Sequence, residues 1–129
     1  MSRSRNKLVM LSGMSNETVE RYRALRAQID RTGVSGAPSV IAVAAPKAVG
    51  GTAEIAANLA AAYAQADRRT LLVDGDINGP LIHQLFGLPN TMGLSSIIET
   101  SSGTEDVVNR GVITNLDVIT AGTRLPYSR

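Results

Sequence analysis

Residues 45–65 read APKAVGGTAEIAANLAAAYAQ, and the fold turns on what this stretch is. It follows an apolar run at 39–44, SVIAVA, and passes through Gly50-Gly51 into alanine-rich sequence with Ile55, Leu59 and Tyr63 at spacing four. A buried strand, a glycine turn and a helix over about 52–66 make the first half of a β-α-β unit. A glycine turn that opens a helix also presents free backbone N–H groups and the positive end of the helix dipole, which together attract phosphate. A complete phosphate loop adds a Lys for the terminal phosphates and a hydroxyl for magnesium. Here those places read Thr52 and Ala53. The residues alone leave two readings open, a phosphate-binding loop and a plain turn that lets a strand pack on its helix.

Working outward, residues 16–31 carry a helical stripe of Val19, Tyr22, Leu25 and Ile29, with Ser15 or Asn16 able to cap it. Glycine and proline at 33–38 end that helix. Beyond the alanine-rich helix, residues 69–74 (RTLLVD) read as a second buried strand with a carboxylate at its C-terminal end. Short helices are expected over 80–87, 93–100 and 104–109, and a third strand over 116–120, closed by Ala121-Gly122. Strands separated by helices imply right-handed crossovers and a parallel sheet. The expected architecture is therefore α/β, a three-layer parallel sheet flanked by helices, with few strands and so incomplete at its C-terminal side. Residues 1–15 read as a flexible basic tail and residues 16–129 as the domain.

Composition sets the remaining bounds. The chain has 129 residues, 43% of them hydrophobic, enough for one domain with a core. Its four aromatics, Tyr22, Tyr63, Phe86 and Tyr127, leave that core to Ala, Val, Leu and Ile, which suits a parallel α/β layer. A net charge of +2 gives no basis for nucleic-acid binding, and Arg3, Arg5 and Lys7 read as a solvated tail. The absence of cysteine excludes disulfides, thiol catalysis and thiolate metal sites, and fits a reducing cytoplasm. The apolar run at 8–11 is too short to span a bilayer or serve as a signal core.

Several words, taken in order, carry a family resemblance. The loop and helix read Ala45-Pro46-Lys47-Ala48-Val49-Gly50-Gly51-Thr52-Ala53, continuing to Asn58-Leu59-Ala60. Then come Leu71-Leu72-Val73-Asp74-Gly75-Asp76-Ile77-Asn78-Gly79-Pro80, Leu85-Phe86-Gly87-Leu88-Pro89-Asn90, Gly93-Leu94-Ser95, and Asn115-Leu116-Asp117-Val118 with Ala121-Gly122. From about residue 19 to 126 the chain resembles the bacterial tyrosine kinases of polysaccharide export (BY-kinases), members of the deviant phosphate-loop ATPases.

The resemblance implies roles for particular residues. Lys47, with Gly50, Gly51, Thr52 and Ala53, stands in the nucleotide-binding loop; Lys47 matches the extra lysine that reaches a phosphate, where its bland reading is a solvated loop lysine. Asp74 and Asp76 match the carboxylates of magnesium binding and hydroxyl activation, and Asp76 is the candidate metal ligand; read alone, an aspartate at a strand end is a helix cap or turn former. Glu20, Arg23 and Arg26 fit the E-x-x-R-x-x-R word of the subunit interface, where the bland reading is a solvated face with an i,i+3 pair worth roughly 0.2–0.5 kcal/mol.

The departures count as much. The distance from Gly51 to Asn58 equals the family's, so the loop has lost no residue, and Thr52 and Ala53 replace its Lys and its magnesium-ligand hydroxyl in place. Asn78 and Gly79 stand where the family has arginines. A third acidic motif and a tyrosine-rich tail are expected beyond residue 129 in the family pattern. The leading expectation is a non-catalytic or weakly nucleotide-binding BY-kinase-like module. It would regulate or scaffold a capsule or exopolysaccharide complex as a self- or hetero-oligomer, docked on kinase subunits or a membrane activator, in the cytoplasm at the inner face of the membrane. ATP or ADP and Mg would then bind only weakly. The alternative is an active tyrosine kinase or partitioning-type ATPase that uses Lys47, Asp74 and Asp76.

Overall fold

The computed structural model describes residues 8–12, 16–33, 39–45 and 51–123. Helix α1 spans Glu17–Thr32, and α2 spans Thr52–Gln65. Strand β1 (Thr70–Val73) leads to the short helices α3 (Ile82–Phe86), α4 (Leu94–Thr100) and α5 (Thr104–Val107). Strands β2 (Asn109–Ile113) and β3 (Leu116–Ile119) follow. The sheet order is β1-β3-β2; β1 and β3 are parallel, and β2 is antiparallel to β3. The result is a mixed α/β layer structure with a small sheet flanked by helices.

Helix α2 is the hub. It is buried continuously from Ala57 to Ala64, so it has neighbours around its whole circumference. Ala57, Ala60 and Ala64 meet Leu72, Leu116 and Val118 of the sheet, together with Ile82 and Leu85 of α3. Ala61 and Ala62 face Val19 of α1. Short side chains on both sides let the helix axis lie close to its neighbours without leaving voids. α1 begins at an asparagine cap, with Asn16 Oδ1 accepting from the Val19 N–H at 3.0 Å. Its far end is tied down by Asp30, which takes Arg26 at 2.9 Å and Arg68 at 3.3 Å. Arg68 also lies over the Tyr63 ring, 5.6 Å from its centroid.

Four expectations change. The run 39–44 makes no strand: residues 39–45 carry no ladder, and Val40 is almost wholly exposed. An apolar run becomes a strand only by pairing, and the described pairing of β1 is with β3. The sheet is not all parallel, because residues 108–113 leave the helical path. Val108 is extended, Gly111 takes φ 61°, and Asn115 at φ 71° turns the chain into a hairpin. Asp117 Oδ1 accepts the Gly111 N–H at 2.8 Å across the irregular register, holding that distortion in place.

Residues 8–12 are not part of a solvated tail. Val9–Leu11 form a 3-10 turn, and Leu8 and Met10 are buried. Finally, Leu25 and Ile55 leave their predicted stripes and are partly exposed, facing a shallow cleft with Thr18, Arg21 and Tyr22. Tyr22 lies beside Asn58, and burial pushes its phenol above the ordinary tyrosine value.

The C-terminal end of β3 is fastened by a polar knot. Asn90 Nδ2 donates to the Gly122 carbonyl at 3.2 Å, and Asn90 Oδ1 accepts the Gly122 N–H at 2.8 Å. Helix α4 starts against the same segment, with the Leu94 N–H on the Thr120 carbonyl at 2.8 Å and the Ser95 N–H on the Ala121 carbonyl at 2.9 Å. Two of the helix's otherwise orphan N–H groups are thereby satisfied. A Cβ on Gly93 would overlap the Thr120 carbonyl oxygen, which is backbone and cannot move aside. Gly93→Ala is expected to cost about 3 kcal/mol or more through overpacking. Urea unfolding of the variant, with an unchanged slope and a lowered midpoint, is the measurement that checks it.

Candidate functional site

α2 descends toward Ala66 and β1 returns from Thr70, so the N-terminal end of the helix and the C-terminal end of the strand lie on the same side of the layer. That side is where open α/β sheets bind ligands. Gly51 caps α2 in the left-handed region, φ 96°, and its carbonyl accepts the Ile55 N–H at 2.9 Å. A side chain at this position would strain the turn, which explains the glycine. No side chain caps the helix start. Thr52 and Ala53 occupy the first turn and are half-buried, and the Ala53 methyl packs on the cluster that joins α2 to the sheet. Lys47 and Gly50 lie outside the described residues.

Asp74 continues the sheet beyond β1, its N–H donating to the Ile119 carbonyl at 3.0 Å. Its side chain is buried, and both of its oxygens accept backbone donors. Oδ1 accepts the Asp76 N–H at 2.9 Å; Oδ2 accepts the Leu81 N–H at 3.3 Å and the Ile82 N–H at 3.2 Å. One carboxylate therefore closes the 75–81 loop on itself and caps the start of α3. Asp76 is exposed and makes a smaller turn of the same kind, Oδ1 accepting the Gly79 N–H at 3.0 Å. Among the described residues, no group of three or more His, Asp or Glu side chains is placed to hold a metal ion. Each Asp74 oxygen already accepts from backbone donors, one on Oδ1 and two on Oδ2.

The residues of the E-x-x-R-x-x-R word divide. Arg23 pairs with Glu20 at 2.8 Å on the exposed face of α1. Arg26 instead turns to Asp30 and is only 23% exposed, so it belongs to the α1–Arg68 network of this chain. Sequence reasoning missed three residues that organise this region. Asn58 and Gln65 of α2 hold the backbone of Met10, and Asn90 fastens β3 to α4. An asparagine in the middle of an alanine helix was a visible signal, because a polar residue buried there must find partners.

The arrangement defines the class, a mixed α/β domain of the phosphate-loop NTPase-like fold. No known family profile matches the chain. It is 34% identical over 107 residues to a putative tyrosine-protein kinase, CapB, of Staphylococcus aureus, covering 83% of this chain and 47% of CapB. It is 31% identical over 121 residues to the tyrosine-protein kinase YwqD of Bacillus subtilis (strain 168), covering 94% of this chain and 51% of YwqD. The kinase domain of the Escherichia coli tyrosine kinase ETK superimposes with a TM-score of 0.82 at 26% identity, over 92% of this chain and 47% of that one. The crystal structure of a chimerical protein, CapA2B2, gives 0.76 at 38% identity, over 94% and 53%. The chain is thus a homologue of the bacterial tyrosine-protein kinases and shares the fold of their kinase domains. It spans about half the length of these relatives.

The roles of the two aspartates separate by stability. Asp74→Ala leaves three backbone N–H groups without their acceptor and is expected to cost about 2–4 kcal/mol. Asp76→Ala, at an exposed turn, is expected to cost much less. Urea midpoints of the two variants measure the difference directly.

Proposed function

We propose that this chain is a non-catalytic, at most weakly nucleotide-binding member of the tyrosine-kinase group, acting as a regulatory or scaffolding module. The observation that carries the reading is the pair at the start of α2. Thr52 cannot supply a positive charge to a terminal phosphate, and Ala53 packs its methyl on the core where a hydroxyl would meet magnesium. Phosphoryl transfer relies on such charge stabilisation more than on covalent chemistry. The engagement of Asp74 by the 75–81 loop adds support, since a carboxylate held by three backbone donors has little left for a metal.

The proposed setting is a capsule or exopolysaccharide synthesis and export complex, which rests on the family resemblance. The partners would be kinase subunits or their membrane activator, reached through the exposed Glu20 and Arg23 face of α1. Among the described residues no helix is long and apolar enough to cross a membrane; attachment through such a partner is part of the proposal.

Two measurements test this. With labelled ATP and magnesium, turnover is expected at least about 10³-fold below that of CapB, since each missing electrostatic group typically removes two to three orders of magnitude. Calorimetric titration with ATP should show no tightening on adding magnesium; rapid turnover or magnesium-dependent micromolar binding overturns the proposal. For the interface, Glu20→Ala with Arg23→Ala is expected to abolish co-sedimentation with a kinase partner such as CapB while leaving the fold intact. Unchanged sedimentation rejects that surface.

A further inference from the structure

Residues 8–12 attach to the domain in an unusual way. Among the described residues its backbone–backbone hydrogen bonds are internal, Leu11 N–H to the Leu8 carbonyl at 2.8 Å and Ser12 N–H to the Val9 carbonyl at 3.1 Å. The domain holds it instead through side chains of one helix. Asn58 Oδ1 accepts the Met10 N–H at 3.1 Å, and Gln65 Nε2 donates to the Met10 carbonyl at 2.7 Å. Asn58 Nδ2 donates to the Glu54 carbonyl at 2.8 Å, which fixes the amide with its oxygen toward Met10. Asn58 and Gln65 are seven residues apart, two turns of α2, so they share a face and bracket a single residue of the segment.

The apolar anchors straddle the helix. Leu8 enters the cluster between α2 and the sheet, among Ala57, Ala60, Leu116 and Val118. Met10 enters the other, with Val19, Ala61 and Ala62. Leu11 packs on both. The alanines of α2 are what leave room for these two side chains. Beside Met10 and Gln65 the surface continues as an open cleft of about 440 Å³ reaching Ile113 and Asn115.

We propose that α2 carries a seat for a short apolar peptide turn, and that residues 8–11 fill it in cis as a releasable strap. The ligand class is defined by the contacts: apolar side chains at positions i and i+2, with the N–H and carbonyl of the second residue free for an asparagine and a glutamine. No charge is required. Among the described residues the segment is held through side-chain groups of α2 and its own apolar anchors, so it can leave without breaking a described strand ladder or helix, and its departure uncovers both clusters along α2.

The test uses the full chain carrying Leu8→Ser and Met10→Ser, titrated with a fluorescent synthetic peptide of residues 5–14 and followed by anisotropy. Saturable binding is expected, with the wild-type chain at least about tenfold weaker because its seat is filled. Adding Asn58→Leu should weaken binding about two- to tenfold or more, as the loss of one buried hydrogen bond does. Absence of saturable binding by a folded Leu8→Ser, Met10→Ser chain, or indifference to Asn58→Leu, overturns the proposal. A second measurement serves if that chain fails to fold. Hydrogen exchange on the Gln65→Ala chain should accelerate the Met10 amide about two- to tenfold while the β3 amides stay as in wild type. An unchanged Met10 amide, or acceleration shared by β3, overturns it equally.

Discussion

The close seating of α2 is the constraint from which the other contacts follow. A helix buried without a break from Ala57 to Ala64 cannot present one greasy face and one wet one. It must satisfy a sheet, a second helix and a chain segment together, and alanine is the side chain small enough to allow all three. The cost is that alanine contributes little apolar area of its own. Larger residues from the neighbours, Leu8, Met10, Val19, Leu72, Leu116 and Val118, supply it by reaching toward the helix. The single polar residue in that stretch, Asn58, is tolerated because both ends of its amide are bonded.

The same economy governs the loops at the carboxyl ends of the strands. The eight residues 74–81 between β1 and α3 are mostly exposed, and Asp74 closes the loop with one carboxylate. Its counterpart at the end of β3 is Asn90, whose amide mimics a backbone group and pairs with Gly122 on both sides. Gly93 and Gly122 follow as consequences, since two backbones approach so closely there that any Cβ would intrude. At the start of α2, Gly51 keeps the left-handed turn that starts the helix, whatever stands at 52 and 53.

Much of this was readable from the residues. α1, α2, β1, α4 and β3 fall close to their expected ranges, since long amphipathic or apolar patterns with clear stops leave little choice. The words that carried the resemblance also have physical reasons now: Asn90, Gly93, Ser95, Ala121 and Gly122 are one hydrogen-bonded knot. What could not be read was anything set by a distant partner. The run 39–44 has a perfect strand composition, but a strand also needs a neighbour, and composition does not name one. The β2–β3 hairpin rests on Gly111 and on Asn115 in left-handed conformations, with Asp117 bridging the irregularity, and no periodicity announces that. The burial of Leu8 and Met10 was hidden for the same reason, since their partner Asn58 lies 48 residues from Met10.

The candidate site was half legible, and the missing half is instructive. The order of α2 and β1 puts Asp74, Asp76, Thr52 and Ala53 at one end of the layer, because topology alone decides which ends of strands and helices meet. Spacing could not say how a carboxylate at the right place would be employed. A buried aspartate becomes a metal ligand only if its oxygens are left to the ligand, and in this chain three backbone N–H groups reach Asp74 first. Residue identity therefore constrains chemistry less than the hydrogen bonds already made by that residue.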